Sequence, residues 1–191
     1  MRIVGGAFKG RRLAVPAGQD VRPTSDRARE SLFNVLMHGL AEWDGELAGS
    51  SVVDLFCGSG ALGLEALSRG AAHVTLIDRS HAALAVTKKN AALGIEAARQ
   101  TTVLKLDATQ LPPPPRVAQA PCGIAFLDPP YGGGLAVPAL GTLKNRGWLA
   151  PGGLAVAEVA ADEELAPPLG YEVLEARTYG AAKLVFLQLR D

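Results

Sequence analysis

The chain has 191 residues, 48% of them apolar, and a formal net charge of zero; a chain of that length forms one domain that buries roughly 70% of its unfolded surface. No run approaches the ~18 apolar residues of a membrane span, and Met1-Arg2-Ile3-Val4-Gly5-Gly6 lacks the apolar core of a signal peptide, so a cytoplasmic protein is expected. Cys57 and Cys122 are far apart without C-x-x-C spacing, and His38, His73 and His81 have no ligand spacing. Reduced structural thiols and no metal are therefore expected.

Charge is unevenly placed. Residues 1–30 hold seven basic side chains (Arg2, Lys9, Arg11, Arg12, Arg22, Arg27, Arg29) against three acidic ones, a surplus of +4 that the remainder cancels. A basic arm on a slightly acidic body is suited to phosphate, and equally to a solvated face.

Residues 2–13 read as a hairpin, with Gly5-Gly6 as its tight turn. Pro23 keeps Arg22 extended, Thr24 or Ser25 can cap a helix, and Asp26 suits its dipole. Ala28, Leu32, Phe33, Leu36, Met37 and Leu40 form its apolar stripe, and Gly39–Gly45 ends it. A short buried strand over 51–55 runs through glycines into a helix over 61–68. Strands follow over 73–78, 101–107, 123–128 and 153–158. Helices separate them, one capped by Ser80 and ending at Gly94, another between about 135 and 146. Pro112–Pro115 is loop, and the sequence assigns it no function. Strands over 171–177 and 183–189 close the chain around Tyr179-Gly180 with no helix between them, so they are antiparallel. The alternation predicts an α/β fold, a mostly parallel sheet with helices on both faces.

Gly58-Ser59-Gly60-Ala61-Leu62-Gly63 fits G-x-G-x-x-G, and Asp78 lies 20 residues past Gly58, as in a dinucleotide site. Asp54, inside the strand, also makes the segment resemble motif I of class I S-adenosylmethionine (AdoMet) methyltransferases. There the acid and the glycine backbone hold the methionine end. A P-loop is excluded, because no Gly-Lys-Ser/Thr follows. The antiparallel closing strand favours the methyltransferase sheet, since dinucleotide domains lack it.

Asp128-Pro129-Pro130-Tyr131 ends the fourth strand, where an open α/β sheet binds ligands. Each proline keeps the residue before it extended, giving a rigid carboxylate, a fixed Pro129 carbonyl and a nearby ring. Two acceptors and a stacking platform suit an exocyclic amine on a planar base. They hold its nitrogen in line with a methyl donor and stabilise the charge that develops. Asp78 reads as an acceptor for ribose hydroxyls, and Asp107 as a contact to the cofactor's adenine amine. The expected cofactor set is Asp54, Phe56, Cys57, Gly58, Ser59, Gly60, Asp78, Arg79, Asp107 and Ala108.

Together with the N-terminal Arg2-Ile3-Val4-Gly5-Gly6 and Arg22-Pro23-Thr24-Ser25-Asp26-Arg27, these motifs resemble the bacterial 16S rRNA guanine-N2 methyltransferase family over nearly the whole chain. The resemblance implies a Rossmann-like seven-stranded sheet with one antiparallel strand, and a small N-terminal β-hairpin and helix. It implies methyl transfer from AdoMet to guanine N2 of 16S rRNA, within assembling or assembled 30S subunits. Residues 1–45 are expected to contact RNA, through Arg2, Lys9, Arg11, Arg12, Arg22 and Arg27, and residues 46–191 to form the catalytic core. A monomer is expected. The family more often has Glu where this chain has Asp78, and the shorter acid still reaches ribose. The alternatives are methylation of another amine, such as adenine N6 in DNA, an NAD-type oxidoreductase, and an assembly factor that binds AdoMet and RNA without catalysis. A chain of 191 residues leaves little room for a DNA-recognition domain, and the Asp-Pro-Pro-Tyr site opposes the oxidoreductase.

Overall fold

Runs such as Val52-Val53 and Ala125-Phe126-Leu127 have no polar face to offer water, so the strands they form must be covered on both sides. The computed structural model describes residues 1–16, 26–40 and 42–190. The expected capping residues Thr24 and Ser25, and Arg22, lie outside the described residues. In chain order the elements are α1 (Asp26–His38), β1 (Ser51–Leu55), α2 (Ala61–Ser68), β2 (His73–Asp78), α3 (His81–Ala91), α4 (Ile95–Arg99), β3 (Thr101–Lys105), β4 (Cys122–Leu127), α5 (Ala136–Asn145), β5 (Leu149–Ala160), β6 (Tyr171–Tyr179) and β7 (Ala182–Leu189).

All seven strands join one sheet in the order β3-β2-β1-β4-β5-β7-β6. β1 to β5 are parallel, and β7 runs against both β5 and β6. Only β7 is therefore reversed, as the two closing strands predict. The chain leaves β1 outward through β2 and β3, then returns to place β4 on the other side of β1. That reversal opens the switch point at the carboxyl ends of β1 and β4.

Two apolar layers flank the sheet. On one face Val52, Leu76, Phe126 and Phe186 meet Leu32 and Phe33 of α1, Leu64 and Leu67 of α2, and Leu84 of α3. On the other, Val53, Leu127, Ala155 and Leu187 meet Leu140 and Leu143 of α5 and Trp148. Ile3 and Leu13 belong to the first layer, so the N-terminal segment shares the core of the sheet.

Several boundaries differ from expectation; the helix capped by Ser80 ends at Ala91, short of Gly94, and α4 follows as a separate turn. The N-terminal segment pairs through Ile3 N–H to the Arg11 carbonyl (2.9 Å) and Gly10 N–H to the Ile3 carbonyl (2.9 Å), so residues 4–9 form a loop in place of a Gly5-Gly6 turn. The reason is docking. The Glu65 carboxylate accepts the N–H groups of Val4 and Gly5 at 2.8 Å each, and a Cβ at Gly6 would lie 1.8 Å from the Ser68 carbonyl oxygen. β3 stops at Lys105, because the Asp107 side chain accepts from Thr109 N–H (2.9 Å) and hydroxyl (2.7 Å), which turns the chain. β4 stops at Leu127, one residue before Asp128. β5 begins at Leu149: Cys122 pairs with Leu149 and Ile124 with Leu154, and the extra residues bulge around Gly152. The proline loop is anchored where the Trp148 indole donates to the Pro112 carbonyl (2.7 Å).

Candidate active site

The loop after β1 turns through left-handed backbone at Phe56 (φ 58°), Gly58 (54°) and Gly60 (79°). Phe56 is the strained member, held there as Cys57 N–H bonds to the Ile77 carbonyl (3.0 Å). Gly63 serves packing: a Cβ there would lie 2.4 Å from Leu76 Cδ2 and 3.3 Å from Asp54 Oδ2. α2 can thus lie close on β1 and β2, and its Gly63 N–H donates to Asp54 Oδ2 (2.9 Å). No side chain caps α2 at Gly60, so a strand residue satisfies one of the helix's open N–H groups.

Two residues of α3 that the sequence analysis missed hold this loop. Thr87 donates to the Gly58 carbonyl (2.7 Å). Asn90 donates to the carbonyls of Ser59 (2.8 Å) and Ala14 (2.9 Å) and accepts the Ala14 N–H (2.8 Å). The signal was available: polar residues three apart on a helix whose other positions are largely apolar. Cys57 is buried against Thr87, at 3.8 Å between sulfur and hydroxyl. Burial, with the charges of Asp54 and Asp78, pushes its thiol well up, which makes it inert.

Carboxylates gather along the strand ends. Asp78 accepts from Gly58 N–H (3.0 Å) and Ser80 N–H (2.8 Å), closing the glycine loop onto the end of β2. Asp54 is 1% exposed, and its Oδ1 is buried without a hydrogen-bond partner. Burial pushes its carboxyl up to about 7, against the bond from Gly63 and with help from the charge of Asp78. Asp128 stands across from it at the end of β4, its N–H reaching the Leu55 carbonyl at 3.4 Å. Burial first, then the charges of Glu158 and Asp54, push its carboxyl well above the ordinary range. Glu158 on β5 was also missed. It is a buried acid that accepts the Tyr131 hydroxyl at 2.7 Å, and a lone Glu within Leu154–Val159 was its trace in the sequence.

Pro129 is buried and Pro130 exposed, and the chain leaves the sheet there with Tyr131 folded back to Glu158. The site therefore joins a glycine loop, a carboxylate oxygen without a hydrogen-bond partner, a second carboxyl at the end of the neighbouring strand, and a ring anchored at its hydroxyl.

The sequence pattern of the family described as Conserved hypothetical protein 95 matches residues 1–188. Ribosomal RNA small subunit methyltransferase D of Escherichia coli K12 is 40% identical over 152 residues, covering 78% of this chain and 70% of its own. The chain belongs to that family. The Haemophilus influenzae protein of the same name is 34% identical over 180 residues, 94% of this chain and 89% of its own. The solved Escherichia coli structure "Putative methyltransferase yhhF" superposes with a TM-score of 0.80 at 34% identity, covering 100% of this chain and 98% of that one. The likeness places the seven-stranded sheet among class I methyltransferases.

For this member of the methyltransferase D family, the structure separates the remaining expected residues. Arg79 is exposed at the end of β2, and its charge helps hold the Asp107 carboxyl below the usual range, after the two bonds from Thr109. Ala108 is buried, and its carbonyl accepts Thr142 of α5 (2.9 Å). Among the expected RNA-binding side chains, Lys9, Arg12 and Arg27 are exposed, and Arg11 reaches the Leu93 carbonyl at 3.4 Å. Arg2 is exposed but paired with Asp26 (3.2 Å). Arg29, counted in the basic surplus, is 1% exposed and donates to the Arg2 carbonyl (2.6 Å) and Asp26 (2.7 Å). It braces the arm from inside and presents nothing to a partner.

Proposed function

We propose that this chain transfers a methyl group from AdoMet to the exocyclic N2 amine of a guanine in 16S rRNA. The observation that carries the reading is the Asp128-Pro129-Pro130-Tyr131 turn beside the glycine loop, across the switch point from Asp54. The donor set suits AdoMet. Carboxyls at Asp54 and Asp128 would attract its sulfonium and ammonium groups, the Asp54 Oδ1 without a hydrogen-bond partner can take a donor, and the remaining lone pairs of Asp78 would accept ribose hydroxyls. A Cβ at Gly58 would meet only the Phe56 carbonyl, at 3.9 Å, so that backbone has room for a ligand. The same acids would repel the pyrophosphate of a dinucleotide, which opposes the oxidoreductase reading.

When bound, AdoMet supplies an electrophilic methyl on a sulfonium. The chain's residues supply the rest. The Tyr131 ring, fixed at its hydroxyl, stacks on the base, a contact worth ~1–3 kcal/mol. Asp128 and the Pro129 carbonyl accept the two amine N–H groups, turning the nitrogen lone pair towards the methyl. As positive charge develops on N2, the Asp128 carboxyl stabilises it in a water-poor site and takes up the proton released. Contacts from the basic arm to RNA phosphates position the substrate without reading its sequence, and the target base must leave its stack to reach the cleft.

The test is isotopically labelled AdoMet with unmodified 30S particles, naked 16S rRNA and duplex DNA, with products identified as nucleosides by mass. N2-methylguanosine from the ribosomal substrates is the expected result. N6-methyladenine from DNA would overturn the choice of amine, and AdoMet binding without transfer would favour an assembly factor. Asp128→Ala should lower kcat by about 10²–10³ while AdoMet still binds.

A further inference from the structure

We propose that Glu158 is a positioning residue for this reaction: it anchors the Tyr131 ring beneath the base and stands beside the Asp128 carboxyl at the same level of the neighbouring strand. The inference rests on the roles given above to Asp128 and Tyr131, and it concerns a residue neither motif contains.

The register puts Glu158 there. Leu127 of β4 pairs with Ala157 of β5, so the next residues, Asp128 and Glu158, leave adjacent parallel strands at the same level. From Leu154 to Val159 every other β5 residue is apolar and buried. A carboxylate on so dry a strand is costly unless it is hydrogen-bonded, and the Tyr131 hydroxyl provides a bond at 2.7 Å. That bond spans 27 residues and fixes an otherwise 41% exposed ring at its outer end. A ring held at its hydroxyl presents its face in one orientation, which a stacking platform needs.

The second role follows from like charges at short range. The charged groups facing Asp128 are Glu158 from β5 and Asp54 from β1, and Tyr131 reaches the same place from the loop after β4. Carboxyls so crowded hold on to a proton. Burial beside Glu158 and Asp54 raises the Asp128 carboxyl in the ligand-free chain, and a cation at the switch point offsets that rise. Asp128 thereby becomes a full acceptor for the amine as the methyl donor binds, and Glu158 tunes that change.

The two roles separate by mutation. Side-chain carboxyl ¹³C shifts of the ligand-free chain, followed against pH, report Asp128 directly; kcat and KM with unmodified 30S particles report the reaction. E158Q removes the charge, so Asp128 should titrate about one pH unit lower, and the acidic limb of kcat/KM should move the same way. E158D keeps the charge but withdraws from Tyr131. It should leave the Asp128 midpoint near that of the wild type and raise KM for particles several-fold, as Y131F should. E158Q keeps an oxygen that can accept the Tyr131 hydroxyl and drops the buried charge, so it reads the charge role in a folded chain, while E158D and Y131F read the ring-anchoring role independently of each other. An Asp128 midpoint identical in E158Q and wild type overturns the charge role. Wild-type KM in both Y131F and E158D overturns the anchoring role. A wild-type chain that makes no N2-methylguanosine, yet shows the E158Q shift, overturns the functional reading and leaves the Glu158–Asp128 pairing standing.

Discussion

Asp54 shows how one side chain can serve the fold and the site at once. Its Oδ2 takes the Gly63 N–H at the start of α2, while its Oδ1 is buried with no partner. In the folded, ligand-free chain its carboxyl is pushed from 3.8 to about 7. A raised carboxyl means that the folded state holds a proton the unfolded state has released. The associated stability is complete below about pH 4 and is lost as pH climbs through about 7. Three units correspond to about 4 kcal/mol at most, and the raised Asp128 adds to the loss with the same sign. Thermal unfolding of the ligand-free chain should therefore show Tm falling between about pH 4 and pH 7, and Asp54→Asn should flatten much of that fall. A Tm profile identical in the two proteins would remove Asp54 from this account. Gly63 tests the other side of the contact. With a new Cβ 2.4 Å from Leu76, which is fully buried, Gly63→Ala should cost about 1–3 kcal/mol by overpacking. Urea denaturation would read this, and an unchanged midpoint would mean that α2 is free to shift.

Between elements, the junction that matters is α3 against the glycine loop and the N-terminal arm. The Asn90 carboxamide makes three bonds to backbone of two segments distant in sequence. Asn90→Ala leaves those groups unmatched, at a cost of about 1–3 kcal/mol. It should also speed amide exchange at Ala14 and weaken AdoMet binding several-fold. Unchanged exchange at Ala14 would show that the contacts of Glu65, Ser68 and Arg29 hold the arm without Asn90. Such cross-links explain which elements could be read from the sequence. β1, α2 and β2 were legible to the residue, because a buried parallel strand is an apolar run and a glycine loop punctuates it. The reversed β7 was legible because no helix stands between it and β6. Gly5-Gly6 misled, since its conformation answers to Ser68 and Glu65 on another element and not to a turn of its own. The early start of β5 depends on a bulge opposite β4, and α4 has only five residues, too few for a periodic pattern. In the site, Asp54 and Asp128 stand in recognisable motifs. Thr87, Asn90 and Glu158 matter through partners that only the folded register brings near, so no motif marks them in the sequence.

At the scale of the molecule, zero net charge conceals the asymmetry that a ribosomal substrate would feel. Folding sorts the basic surplus of residues 1–30. Arg29 is turned inward to the Arg2 carbonyl and Asp26, and Arg2 is paired with the same Asp26. Lys9, Arg11 and Arg12 cluster on the docked loop and the strand-like return of the arm, which Asn90 ties to Ser59 of the glycine loop. A phosphate contact made there is thus one side-chain bridge away from the glycine loop. If Arg11 and Arg12 each neutralise one phosphate, each releases counterions worth about 0.7–0.9 in the slope of log affinity against log salt. An Arg11→Ala/Arg12→Ala chain should then bind unmodified 30S particles more weakly at low salt, with the slope shallower by about 1.5. AdoMet affinity should be unchanged, because neither guanidinium lies among the carboxylates of the site. The loss should appear in KM more than in kcat, since these contacts hold substrate and transition state alike. Binding measured across a salt series, beside single-turnover methylation, separates the possibilities. Normal methylation with an unaltered slope would move the RNA surface away from the arm and leave its docking on Glu65 as a purely structural device.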